Sequence, residues 1–155
     1  DKSGNILLQR VQNSGHKILS RKIVKDDFDQ IFELFQHLIN DNNIDVIIST
    51  GGTGLTGRDI TPEVMETLFE KSIDGFGEMF RSLSFSKIGT SALQSRALAG
   101  VTKGTYIFCL PGSPSACKDG WDYILVHQLD IRHKPCNFVE IMPRLREHEI
   151  SRTKS

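Results

Sequence analysis

The stretch from Ile44 to Glu66, IDVIISTGGTGLTGRDITPEVME, constrains this chain more than any other, because a short apolar run empties into glycines, hydroxyls and one acid before a helix begins. Ile44, Val46, Ile47 and Ile48 form a β-branched run that reads as a buried strand, and Gly51, Gly52, Gly54 and Gly57 end it. A helix then starts, with Thr61 as cap, Pro62 at the first helical position, and Glu63 and Glu66 at the positive end of the dipole. Glycines let backbone N–H groups approach a phosphate closely, and Thr50, Thr53 and Thr56 add hydroxyl donors, so the loop suits a polyanion. Asp59 would repel that ligand unless a cation lies between them, and a hard, oxygen-ligated ion such as magnesium resolves the conflict. A tight strand-to-helix turn is the plainer reading, but four glycines with three threonines and an acid exceed what a turn requires.

Other glycine-loop and nucleophile chemistries fit less well. Gly52-Thr-Gly54-Leu-Thr-Gly57 matches the dinucleotide fingerprint in its letters, yet Arg58 to Thr61 separate its third glycine from the helix. No strand-ending acid follows about 20 residues on, since Glu70 and Asp74 fall in or just after the next helix. A P-loop needs lysine and Ser or Thr after its last glycine, where this chain has Arg58 and Asp59. No serine sits in a nucleophile elbow, and the five histidines lack paired ligand spacing, which places them on the surface rather than on a metal.

A chain of 155 residues matches one domain, the usual size being roughly 100 to 200 residues. Nineteen basic and nineteen acidic residues cancel, so no global field draws nucleic acid or membrane, and a polyanion must be recognised locally. Cys109, Cys117 and Cys136 are odd in number and lack CxxC spacing, which argues for buried thiols rather than a disulfide framework or zinc site. No apolar run approaches the length of a spanning helix, and the expected setting is soluble and cytoplasmic.

Periodicity predicts alternating strands and helices. Ile6, Leu7, Leu8 and Val11 give a helix over Ser3 to Asn13, stopped by Ser14-Gly15, and a strand follows over Lys17 to Val24. Asp26 caps an amphipathic helix carrying Phe28, Ile31, Phe32, Phe35, Leu38 and Ile39. Helices over Pro62 to Lys71 and Gly75 to Leu83 and a buried strand over Thr105 to Leu110 continue the alternation. From Ser113-Pro114 a last long helix reaches about Leu129, with Ala116, Cys117, Trp121, Ile124 and Leu125 facing inward. The expected class is three-layer α/β/α with a mostly parallel sheet. Such sheets bind ligands beyond the carboxyl ends of their strands, which gathers Asp26, the glycine loop and Pro111-Gly112-Ser113 into one place. Local sequence alone favours plain cap and turn roles for Asp26 and for Pro111 to Pro114.

At this point the chain resembles the molybdenum cofactor biosynthesis proteins of the MoaB/Mog type, which also supply a domain of gephyrin and of its plant counterpart. The resemblance runs nearly end to end. It is carried by Asp1-Lys-Ser3-Gly4, Val24-Lys-Asp26-Asp27, the run from Thr50 to Glu63, Gly75-Phe-Gly-Glu-Met-Phe-Arg81 and Ile88-Gly-Thr-Ser91. Ser95-Arg96-Ala-Leu-Ala-Gly100, Leu110-Pro-Gly-Ser-Pro114 and Pro135-Cys-Asn-Phe138 complete it, and several of these segments resemble the MoaB branch most.

The resemblance implies a magnesium-dependent transfer of AMP from ATP to the terminal phosphate of molybdopterin, with release of pyrophosphate. It implies that Asp26 and Asp59 act together on magnesium, and that Thr50, Gly51, Gly52, Thr53 and Gly54 seat ATP. It places molybdopterin against Ser3, Gly4, Ser91, Ser95, Arg96, Pro111, Gly112 and Ser113, while Arg58 is assigned no role. A noncatalytic pterin-binding or scaffold protein of the same pathway is the alternative, and a nucleotide-binding oxidoreductase rests only on the glycine letters.

In such relatives a hydrophobic strand and a Ser/Thr-Asp turn precede the position of Asp1, so both are expected upstream, with room for a targeting segment. Homotrimers, or hexamers built as paired trimers, are also implied, with other enzymes of the pathway as further partners and Phe76, Met79, Phe80, Leu83 and Phe85 as candidate interface residues. The binding domain is expected to span 1–143, and residues 144–155 to form a loose polar tail.

Overall fold

Every residue of the strand over Thr105–Leu110 is buried, as a strand covered on both faces must be. The computed structural model describes residues 1–150. In chain order, α1 (Lys2–Asn13) and α2 (Phe28–Ile39) precede β1 (Val46–Thr50), and α3 (Thr61–Leu68), β2 (Lys71–Ser72) and α4 (Asp74–Ile88) follow. Then come β3 (Leu98–Thr102), β4 (Thr105–Leu110), α5 (Pro114–Gly120), α6 (Val126–Gln128) and α7 (Phe138–Ile141).

The sheet order is β1-β4-β3-β2. β1 pairs with β4 in parallel, while β3 is antiparallel to both β4 and β2, so three of the four strands share one direction and β3 alone opposes them. Alternation along β4 divides the core. Tyr106, Phe108 and Leu110 meet Leu7 of α1, Phe76 and Phe80 of α4, and Trp121 and Leu125. Ile107 and Cys109 meet Ile31, Phe35 and Ile39 of α2 and Val64 and Met65 of α3. One layer of helices thus covers each face, which is the three-layer α/β/α arrangement.

Several elements depart from the sequence expectation. Residues 16–25 form no strand, and Leu19 and Ile23 are exposed, with Val24 packed on the second core. Among the described residues β1 pairs only with β4, so this segment has no ladder to join despite its composition. The helix expected to reach Lys71 ends at Leu68, because Phe69 turns extended and carries Lys71–Ser72 onto β3 opposite Val101 and Gly100. The helix expected to stop at Leu83 runs on to Ile88, followed by a 3-10 turn over Gly89–Gln94. β3 was not foreseen. Its two-residue hairpin to β4 uses Lys103 at φ 48° and Gly104 at φ 79°, and a lysine there lacks the Asn-Gly signature of such turns. The last long helix is interrupted by a π turn over Trp121–Leu125 between α5 and α6, with Cys117, Trp121, Ile124 and Leu125 still buried.

Cys109 and Cys117 are buried as expected, but Cys136 is exposed. Of the candidate interface residues, Phe76 and Phe80 belong to the core, while Met79 and Phe85 are exposed. The segment around Asn137 is more ordered than its weak periodicity suggests. Phe138 stacks on Tyr106 with ring centroids 4.9 Å apart, and the Tyr106 hydroxyl donates to the Phe138 carbonyl at 2.7 Å. A 3-10 turn over Met142–Arg144 crosses the expected boundary at 143, a second over Glu147–Glu149 lies within the expected tail, and residues 151–155 lie outside the described residues.

Candidate functional site

The parallel pairing of β1 and β4 sets their two following loops side by side. The Gly51 N–H donates to the Leu110 carbonyl at 2.9 Å, and the Thr50 hydroxyl donates to the Pro111 carbonyl at 2.8 Å. A Cβ on Gly112 would lie 3.5 Å from the Gly51 Cα, so the loops pass almost in backbone contact. Ser3, in the first turn of α1, is buried and donates its hydroxyl to the Gly112 carbonyl at 2.7 Å. Thr50 to Gly54, Pro111 to Ser113 and Ser3-Gly4 are therefore brought together as expected.

The glycine loop folds back on α3. Gly52 has φ 74° and its backbone passes against Thr61, where a Cβ would collide with the threonine hydroxyl. The Thr61 N–H donates to the Gly52 carbonyl at 3.1 Å and its hydroxyl to the Gly51 carbonyl at 3.2 Å. Thr61 was expected to cap α3. Instead Ile60 occupies the cap position without a side-chain bond, and Thr61 uses its hydroxyl to tie the loop down.

Most loop hydroxyls are committed within the protein rather than offered to a ligand. Thr56 donates its hydroxyl at 2.8 Å and its N–H at 2.9 Å to Asp59 Oδ2, and Thr53 is buried. Backbone amides and helix ends carry the attraction for anions instead. α2 packs Ile31, Phe35 and Ile39 over Ile47 of β1, and residues 40–45 connect the two. So short a connection makes them run in opposite directions. The start of α2 therefore lies at the carboxyl end of β1, where α1 and α3 also begin, and their positive ends converge on the loops.

The two aspartates occupy different surroundings. Donation from the Thr56 hydroxyl and amide lowers the Asp59 pKa, with smaller contributions from the Gly54 amide and Arg96, so this carboxylate is ionised at neutral pH. A Cβ on Gly54 would approach Asp59 Oδ2 to 2.7 Å, which explains glycine at that position. Asp26, expected from local sequence to cap α2, does not. Asp27 caps instead, its carboxylate accepting from the Gln30 N–H at 3.0 Å, and Asp26 is exposed with no side-chain partner among the described residues. Among the described residues no group of three or more His, Cys, Asp or Glu side chains could hold a metal. Carboxylate, phosphate and water oxygens are the donors that suit magnesium, and the bonds from Thr56 to Asp59 both go to Oδ2.

Arg96 lies beside the glycine loop, because its N–H donates to the Thr53 carbonyl at 2.8 Å. Ser91 is exposed on the 3-10 turn, and Ser95 accepts from the Ala97 N–H at 3.3 Å. The Arg96 side chain turns into the loop rather than outward. Its Nε donates to the Gly54 carbonyl at 2.7 Å and its Nη2 to the Asp59 carbonyl at 2.9 Å. Glu63 receives Nη1 at 2.5 Å and Nη2 at 3.0 Å. Sequence reasoning gave Glu63 only a dipole role, since its partner lies 33 residues away. Ser113 caps α5 by accepting from the Ala116 N–H at 3.1 Å.

Residues 1–131 match the family model described as a probable molybdopterin binding domain. The chain is 46% identical over 138 residues to Molybdenum cofactor biosynthesis protein B of Escherichia coli (strain K12), covering 89% of this chain and 81% of that one. It is 38% identical over 118 residues to a protein of Methanocaldococcus jannaschii named probable molybdopterin adenylyltransferase, covering 76% and 69%. Among solved structures, a Molybdenum cofactor biosynthesis protein B superposes with TM-score 0.83 at 35% identity, covering 94% of this chain and 86% of that one. The tungsten cofactor synthesizing protein MoaB from Pyrococcus furiosus superposes with TM-score 0.78 at 33% identity, over 94% and 86%.

Proposed function

The chain belongs to the molybdopterin-binding family of molybdenum cofactor biosynthesis, and from that premise we infer that it transfers AMP from ATP to the terminal phosphate of molybdopterin. The observation that carries this reading is the pair of anion loops, Thr50 to Gly54 and Pro111 to Ser113, held edge to edge with the ionised Asp59 at one side. Joining two phosphates requires two such seats in contact. The relative named probable molybdopterin adenylyltransferase supports the same chemistry.

In this reading a terminal phosphate oxygen of molybdopterin attacks the α-phosphorus of ATP. A new P–O bond forms while the bond to the β-phosphate bridging oxygen breaks, and pyrophosphate leaves with that electron pair. The amides of Thr50, Gly51, Gly52, Thr53 and Gly54 would seat the ATP phosphates, with the starts of α2 and α3 favouring their charge. Ser3, Gly4, Pro111, Gly112 and Ser113 would orient the pterin phosphate, with Ser91 and Ser95 flanking it. The protein's task is alignment more than covalent chemistry. Asp26 and Asp59 would hold magnesium, which when bound neutralises charge developing on pyrophosphate.

A noncatalytic pterin carrier is the second reading. It is favoured by the commitment of Thr50, Thr56 and Arg96 to internal bonds, which leaves few side-chain donors for a transition state. Trimeric or paired-trimer assembly, contact with other enzymes of the pathway and a cytoplasmic setting accompany either reading. Among the described residues no helix is long and apolar enough to cross a membrane.

The test is pyrophosphate release from ATP and magnesium, with and without molybdopterin, in the wild type and in Asp59→Asn. Asn can still accept from Thr56, so the fold should persist while release falls by about 100-fold or more. Wild-type turnover in the variant would overturn the assignment of Asp59, and pterin binding without release would leave the carrier.

A further inference from the structure

We propose that Arg96 and Glu63 form a clamp that positions the glycine loop and the Asp59 carboxylate, so that Arg96 acts through the loop rather than as a phosphate ligand. The clamp deepens the adenylyl-transfer reading and rests on it for its catalytic consequence, though not for its structural one. Arg96 has five N–H donors, and protein acceptors take four of them: the Gly54 and Asp59 carbonyls and both Glu63 carboxylate oxygens. The remaining Nη1 hydrogen is too little for bidentate phosphate binding, which needs two parallel donors.

The acceptors explain why the arrangement needs arginine. Gly54 and Asp59 bracket the part of the loop in which Thr56 donates to Asp59, and Glu63 lies in the first turn of α3. One planar guanidinium therefore joins both ends of the loop to the helix. The backbone of Arg96 adds a third tie through Thr53. A lysine would keep the charge but present a single nitrogen, which cannot satisfy carbonyls at two loop positions and a carboxylate together.

Glu63 distinguishes the clamp from direct phosphate binding. If Arg96 bound phosphate, Glu63→Gln would release the guanidinium, and affinity for substrate would hold or improve. If Arg96 is a clamp, Glu63→Gln and Arg96→Lys should do similar harm, and combining them should add little.

Hydrogen exchange over residues 54–59 would be measured in the wild type, Arg96→Lys, Glu63→Gln and the double variant, together with the magnesium dependence of pyrophosphate release. The clamp predicts exchange at the Thr56 and Asp59 amides at least about tenfold faster in each variant, the equivalent of losing one or two charge-assisted bonds. It also predicts a magnesium half-saturation raised about tenfold, a readout that a merely stabilising ion pair would not move below its melting temperature. Unchanged exchange in Arg96→Lys, or tighter substrate binding in Glu63→Gln, overturns the clamp. Loosened exchange in the variants with no pyrophosphate release even from the wild type would uphold the clamp and refute adenylyl transfer.

Discussion

The Ser3 hydroxyl donates to the Gly112 carbonyl at 2.7 Å, tying the first turn of α1 to the loop after β4 across 109 residues. Ser3→Ala leaves that carbonyl without the donor and should cost about 1 kcal/mol of stability. In the proposed site it should also raise the KM for molybdopterin several-fold and leave that for ATP unchanged. Steady-state kinetics with each substrate varied in turn checks this, and an equal rise in both would remove Ser3 from the pterin side.

Asp26 and Asp27 are neighbours to which the proposed function gives separable tasks. Asp27→Ala removes the bond to the Gln30 N–H and should cost about 1 kcal/mol, with pyrophosphate release retained. Asp26→Ala removes an exposed carboxylate without a partner among the described residues, so its melting curve should match the wild type while release is lost. Thermal melts and turnover on the two variants would show this crossed pattern. Loss of release from Asp27→Ala alone would refute the division of roles.

Alkaline pH should unfold the protein earlier than neutral pH does. Burial pushes the Cys109 thiol up to about 12 and the Tyr106 phenol up to about 12, from ordinary values of 9.0 and 10.0. A raised folded pKa contributes stability that is complete below the unfolded value and is lost as pH climbs toward the folded one. Stability should therefore hold to about pH 9 and then fall through pH 12, by about 1.4 kcal/mol per pH unit for each group engaged. Urea melts across this range measure the slope. Burial also raises the Cys117 thiol, so Cys109→Ala should make the fall between about pH 9 and 10 shallower, and an unchanged slope there would exclude the Cys109 thiol as a source.

Gly100 is set by packing. A side chain there would enter the ring of Phe69, the residue that turns the chain from α3 into β2. Gly100→Ala should cost about 1–3 kcal/mol, and the cost should shrink in a Phe69→Leu background, where the space is freed. Chemical denaturation of the four proteins of that cycle checks the coupling. Additive losses would mean that the ring and the glycine are independent.

Local pattern alone identifies the parts of the molecule whose partners are near in sequence. The spacing from Phe28 to Ile39 and the β-branched run before Thr50 give α2 and β1, and the glycines with Asp59 mark the anion loop. Asp27, by contrast, was passed over as the cap of α2 because two adjacent acids offer the same local chemistry, and only backbone geometry chooses between them. The strand over Lys17 to Val24 failed for the opposite reason. Its composition is adequate, but a ladder needs a neighbour, and pairing is a property of the whole sheet.

The sequence by itself determined the layered α/β class and the family, because apolar periodicity and the ordered run of short motifs are written along the chain. It also identified the loops that form the candidate site. Tertiary structure decided what each side chain in that site is free to do. Thr50 meets Pro111 across 61 residues, and Arg96 meets Glu63 across 33, so whether a hydroxyl or guanidinium faces a ligand or the protein follows from contacts that local order does not encode. Buried and half-buried polar groups must find acceptors wherever the fold places them, and that requirement directs the Thr50 hydroxyl and the Arg96 guanidinium to acceptors within the protein.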